Sequence, residues 1–282
     1  INDSTIGGSI SARLRTRDYD EYDEDRRGIN GAITRRFGQR WRGSIDARFQ
    51  YIDLSDITPE SPTDLFDVEG SNSLTGIGFG LRRTTVPAQE QFRPSRGSIM
   101  EFNVEQVGLL GGDFDFTKLS AEHTVFIALM EDSLNRKTVL RLKTHARYIP
   151  QGQDDVPTYE RYHLGGKSMR GFNHRTVGPR GLRNDNGMPS DDPIGGTWSF
   201  FWGAELQQPL VGEALSLAFF IDTGTVGEDF TFDDYRVSVG TGFRLYVPQL
   251  SPAPLAFDFG FPILKEDTDE KRLFTFDVDV PF

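Results

Sequence analysis

The chain has 282 residues, no cysteine, a formal charge of −11 and only 37% hydrophobic residues, yet it contains 23 phenylalanines. Missing cysteine removes disulfide scaffolds and thiol chemistry, the acidic balance argues against nucleic acid as a partner, and no apolar run approaches the roughly 18 residues of a membrane-spanning helix. Aromatic richness speaks against disorder, and a strand-built membrane barrel reconciles these facts, because only every second residue of a strand has to face lipid.

In chain order, period-2 alternation predicts about twelve strands, near 4–20, 26–38, 41–54, 71–86, 97–108, 115–130, 137–151, 197–210, 213–227, 235–248, 253–263 and 272–282. In the fourth, Thr75, Ile77, Phe79 and Leu81 oppose Gly76, Gly78, Gly80 and Arg82. In the seventh, Leu140, Leu142, Thr144, Ala146 and Tyr148 oppose Arg141, Lys143, His145 and Arg147. In the eighth, Trp198, Phe200, Trp202, Ala204 and Leu206 share one face, with Ser199, Phe201, Gly203 and Glu205 on the other. In the eleventh, Leu255, Phe257, Phe259 and Phe261 alternate with Ala256, Asp258 and Gly260. A soluble antiparallel sheet with one solvated face is the plainer reading. Regular charges opposite such apolar rows fit a wet lumen better, since a dry core would require a partner for each.

The connections alternate in character. One set, 37–40, 86–96, 130–136, 210–214 and 248–254, is shorter and mostly less acidic. The other, 18–27, 53–73, 150–196, 228–234 and 265–272, is mostly longer and strongly acidic. Short periplasmic turns and longer outer loops are the asymmetry of outer-membrane barrels, so the acidic set is expected at one end of the sheet.

The segment 161–182 breaks the strand pattern with glycines and arginines. Its Met169, Arg170, Gly171 and Phe172, after Gly165 and Gly166, resemble the Arg-Gly-Phe tip of the infolded extracellular loop in the outer-membrane β-barrel assembly superfamily. That family comprises the BAM-complex insertase subunit and the bacterial surface antigens. Glu205 in the following strand, Asp222 in the next, Pro94 to Gly97 at a strand start and the terminal strand ending on Phe282 resemble its other motifs. Met169 stands where the family usually has Val, and Pro281 stands in a terminal strand that lacks the family's frequent glycine.

The resemblance implies an all-β, antiparallel transmembrane β-barrel with a long infolded extracellular loop. Residues 1–282 would form one outer-membrane barrel domain holding about the last twelve strands of a sixteen-stranded family barrel. The first strands and the N-terminal polypeptide-transport-associated (POTRA) repeats would lie outside the chain, and the two terminal strands would not pair with each other. It further implies a non-enzymatic role at the bacterial outer membrane: assembly and insertion of β-barrel proteins through a lateral seam, with neither cofactor nor metal. The implied partners are the lipid bilayer, unfolded β-barrel substrates and periplasmic lipoprotein accessory subunits. Phe274, Phe276, Val278, Val280 and Phe282 would form the terminal-strand signal. A passenger-specific secretion transporter of the same superfamily and a passive porin are the alternatives.

Strand parity places Glu205 and Asp222 on the lumen face with Gly203, Ser216, Ala218 and Phe220, so Arg170 is expected inside the barrel within bonding reach of either carboxylate. A generic lumen ion pair is the plainer account of the same residues. Phe220, Ile221, Asp222, Thr223 and Gly224 also resemble an aspartic-protease signature, but no second copy supplies the other carboxylate of a proton-sharing pair. The four histidines show no metal-ligand spacing, and the acidic stretch 18–25 lacks the glycine and spacing of a calcium loop.

Overall fold

The computed structural model describes residues 6–278 apart from 20, 213, 248 and 250–252. Seven long strands come first: β1 (Ile6–Asp18), β2 (Asp23–Phe37), β3 (Trp41–Ser55), β4 (Gly70–Thr84), β5 (Gly97–Gly112), β6 (Phe116–Glu131) and β7 (Lys137–Tyr148). The segment 149–197 carries three short pieces, β8 (Gly171–Phe172), β9 (Arg180–Leu182) and β10 (Pro189–Pro193). There follow β11 (Trp198–Val211), β12 (Leu215–Gly227), β13 (Arg236–Leu245), β14 (Leu255–Leu264), the two-residue β15 (Lys271–Arg272) and β16 (Phe274–Val278).

Twelve of these form one sheet in the order β1 to β7, β11 to β14 and β16, each antiparallel to its neighbour. Among the described residues, β1 and β16 are not paired with each other. Uninterrupted hairpin order places 19–22, 56–69, 149–197, 228–235 and 265–273 at one end, as the acidic pattern requires. Bonds between them confirm it: Thr58 donates to the Glu21 carbonyl, Arg161 pairs with Asp64, and Asn173 donates to the Glu270 carbonyl.

Alternation divides the sheet as expected. The outward rows stay exposed without lipid, as at Ile6, Ile10 and Leu14 of β1 or Ile45 and Phe49 of β3. In a membrane these rows bury against acyl chains, at about 25 cal/mol for each Å² removed from water. Phe274, Phe276 and Val278 belong to this outward row, and Phe276 and Phe274 lie against Phe257 and Phe259 of β14. Val280 and Phe282 lie outside the described residues.

Inside, parts of the segment 149–197 descend into the lumen. Its Glu160 reaches β3 and its Arg170 reaches β12 and β14, so the sheet curls around it. Near the outer end, Ile52, Leu54, Leu74, Val107 and Phe116 close over Leu65, Tyr159 and Tyr162 in an apolar cap.

Several boundaries differ from the alternation pattern. β5 runs on to Gly112 rather than ending at 108, because Gly108, Gly111 and Gly112 adopt positive φ and let the strand bulge. Arg272 was expected in the last strand; it belongs to β15, which pairs with the loop tip β8. Trp198 was expected on an open lipid-facing row. It is buried, because Phe230 and Phe232 of the next outer connection fold over it and Thr231 accepts its indole N–H at 3.0 Å.

Candidate functional site: an arginine clamped in the lumen

The tip of the long loop enters the lumen because its backbone can approach the wall closely. Gly171 has φ +92°, a conformation that side chains disfavour. A Cβ on Gly260 of β14 would stand 2.6 Å from the Gly171 nitrogen, so glycine is required on both sides of the contact. The flanking side chains anchor the tip. Met169 and Phe172 are fully buried in a cluster with Leu164, Val177, Phe201 and Val226. The β8 residues Gly171 and Phe172 pair with Arg272 and Lys271, which ties the tip to the segment just before the last strand. Lys167 also pairs with Asp277 of β16.

This anchoring aims Arg170 at the wall of β11 to β14. Its Nε donates to Asp222 Oδ2 at 2.7 Å and its Nη2 to Asp222 Oδ1 at 2.8 Å, a bidentate fork, while its backbone N–H adds a bond at 3.2 Å. Nη1 donates to Glu205 Oε2 at 2.5 Å and reaches Asp258 Oδ2 at 3.5 Å. The guanidinium carbon lies 3.5 Å from the centroid of the Phe220 ring, and Ser238 Oγ donates to the Arg170 carbonyl at 2.6 Å.

The expected trio of Arg170, Glu205 and Asp222 is therefore brought together. Asp258, Arg244, Arg141 and Ser238 were not foreseen as members. Arg244 bridges Glu205 at 2.6 Å and Asp258 at 2.7 Å, and Arg141 approaches Glu205 at 3.1 Å. Gln207 donates to the remaining Glu205 oxygen at 2.7 Å. Three guanidiniums thus face three carboxylates, and the cluster is neutral as a whole. Neutrality is what allows so many charges to sit buried, since an unmatched one would be costly. Both oxygens of Asp222 are engaged by one guanidinium, a fork that holds the loop tip against β12.

A second network holds the loop on the opposite wall, with Glu160, which the alternation pattern left unassigned, at its centre. Arg48 Nη2 and Lys118 Nζ each donate to Glu160 Oε2 at 2.9 Å, and Arg48 Nη1 donates to Oε1 at 3.1 Å. Arg48 is paired in turn with Glu105. Burial by itself would raise the Glu160 carboxyl, but Lys118 and Arg48 outweigh it and hold the group well below the usual carboxylate range. Arg48 of β3 and Lys118 of β6 meet through a partner that arrives on a loop, which strand alternation does not place.

The comparisons with known proteins agree with this geometry. The sequence profile of the Omp85 superfamily domain matches residues 2–279. The chain is 28% identical over 273 residues to an outer membrane protein assembly factor BamA of Nitratidesulfovibrio vulgaris, covering 93% of this chain and 32% of that protein. It is 25% identical over 239 residues to the BamA of Neisseria meningitidis serogroup B, covering 73% and 28%. The chain thus spans about a third of the length of these relatives. Among solved structures, BamA from Haemophilus ducreyi lacking POTRA domains 1–3 superposes with a TM-score of 0.79 at 20% identity, covering 97% of this chain and 58% of that one. CdiB from Acinetobacter baumannii gives 0.59 at 16% identity, covering 90% and 42%. The chain belongs to the Omp85 superfamily, as a β-barrel portion residing in the bacterial outer membrane.

Proposed function

We propose that this protein assembles and inserts other β-barrel polypeptides into the outer membrane, without bond-making chemistry of its own. One observation carries the reading: Arg170 holds a loop across the lumen and ties it, through the pairing of Gly171 and Phe172 with β15, to the start of the terminal strand. A loop held in this way obstructs passive diffusion and braces the strand where a seam would open. Relatives named as outer membrane protein assembly factors support the reading.

Substrate strands would add to an exposed sheet edge at the seam by β-augmentation. Backbone hydrogen bonds supply affinity there, and alternating side chains supply register. Strand pairing and lipid burial would drive the process, with no nucleotide required. The partners are the bilayer, unfolded β-barrel polypeptides and periplasmic lipoprotein accessory subunits.

The test reconstitutes the full-length protein in liposomes and follows insertion of a urea-unfolded β-barrel by its heat-modifiable migration. Acceleration over empty liposomes, reduced in Arg170→Ala, is expected. A rate equal to that of empty liposomes rejects the proposal.

A further inference from the structure

At the short-turn end of the sheet the lumen face carries an unbalanced row of arginines. Strand pairing sets Arg36 of β2 opposite Arg42 of β3, and Arg42 opposite Arg82 of β4. All three share the lumen face, because Arg42 has the parity of Arg48, which points inward to Glu160. Arg82 is matched by Glu101 at 3.1 Å. Among the described residues, Arg36 and Arg42 form no ion pair, and both are exposed. Like charges directly opposite each other destabilise a sheet, so this row is a local cost that an incoming anion would relieve. With Arg40 and Trp41 the three arginines line a cavity of about 710 Å³ beside the 85–96 connection.

The opposite end shows what kind of anion a barrel has to carry. Segment 56–69 contains Asp56, Glu60, Asp64, Asp67 and Glu69 with no Lys or Arg, and 228–235 contains Glu228, Asp229, Asp233 and Asp234, again with none. These are the outer connections of an outer-membrane barrel, and such connections must cross from the inner side during assembly. We propose that the Arg36, Arg42 and Arg82 row docks the acidic connecting loops of β-barrel polypeptides before they cross. The inference rests on the assembly reading and deepens it by naming the part of the substrate that is held. The row faces the lumen, which favours a polypeptide over a leaflet phospholipid. A phospholipid would meet instead the outward Arg83, which lies over the Trp41 ring.

The test uses full-length protein in phosphatidylcholine nanodiscs and a fluorescent peptide with the sequence of residues 56–69. A second peptide carries Asn and Gln in place of Asp and Glu. The acidic peptide is expected to bind, to weaken as salt screens it, and to lose about tenfold in affinity in the Arg36→Gln, Arg42→Gln double variant. The amide peptide is expected not to bind. Equal binding of both peptides, or undiminished binding to the double variant, overturns the assignment. So does a result in which no peptide binds but the variant loses retained phosphatidylglycerol in mixed-lipid discs. Both substituted positions are exposed, and heat-modifiable migration checks that the variant folds. Insertion assays separate the two readings, using a substrate with acidic loops and one with neutralised loops. If wild type accelerates neither, assembly itself fails. If wild type accelerates both and the double variant leaves their ratio unchanged, only the docking site falls.

Discussion

Arg170 and Asp222 are joined by two parallel side-chain bonds of 2.7 and 2.8 Å and by a third from the Arg170 amide at 3.2 Å, across 52 residues of sequence. Side-chain and backbone donors converge on one carboxylate, so the bond specifies the position of the loop backbone as well as that of the guanidinium. Glu205 and Asp258 then complete a neutral cluster with Arg244 and Arg141.

Arg170→Ala leaves three carboxylates facing two guanidiniums. Breaking a buried pair from one side costs about 3–5 kcal/mol, and the expected result is release of the tip from the lumen. Limited proteolysis of residues 165–175 in the folded barrel should speed up accordingly. Arg170→Lys should rescue little, because an ammonium cannot span Asp222 in a fork. Arg175→Ala should have a smaller effect, since Arg175 bonds only to His163 and Tyr19 among the described residues.

Gly260→Ala tests the close approach of wall and loop. The added methyl would meet Gly171 backbone at 2.6 Å and the Arg170 carbonyl carbon at 3.0 Å, neither of which can swing aside. A destabilisation of about 1–3 kcal/mol is expected from urea titration, with loop exposure resembling that of Arg170→Ala. An alanine at Gly38, where nothing lies within 4 Å of the added atom, incurs only the positive-φ strain and should leave the loop protected.

Loop docking should weaken in acid through Glu160. Its carboxyl lies below its unfolded value, so its contribution is fully present above about pH 4.3 and is lost as pH falls toward its folded value. Hydrogen exchange of the amides of 158–164 should show protection dropping below that pH. In Glu160→Gln the acid-side slope should fall by up to one proton, about 1.4 kcal/mol per pH unit. An unchanged slope would mean that other carboxylates control the transition.

Topology can be tested with single cysteines in residues 1–282, which contain none of their own. Single cysteines at Asp67, Asn186, Asp229 and Asp267 should all react with an impermeant maleimide on intact cells, whereas those at Gln39 and Leu134 should not. Any mixed result within either group would contradict the uninterrupted hairpin order.

Much of the fold was legible in the sequence. A period of two assigns each residue to lipid or lumen without any knowledge of its neighbours, and the acidic character of alternate connections sets the ends of the sheet. The Arg-Gly-Phe segment, with Glu205 and Asp222 at lumen parity, indicated the core of the clamp. Parity, however, gives only the face and not the height along the wall. Asp258 alternates with the apolar row of its strand, but its meeting with Arg244 and Glu205 depends on the register of β11 to β14. The partnership of Glu160 with Arg48 and Lys118, and the covering of Trp198 by Phe230 and Phe232, likewise depend on where loops land. Strand patterning is local because each side chain answers to the medium on its own face. Loop placement was decided only in the tertiary structure, because it is set by close backbone contact at Gly171 and Gly260 and by charge balance among residues from six different segments.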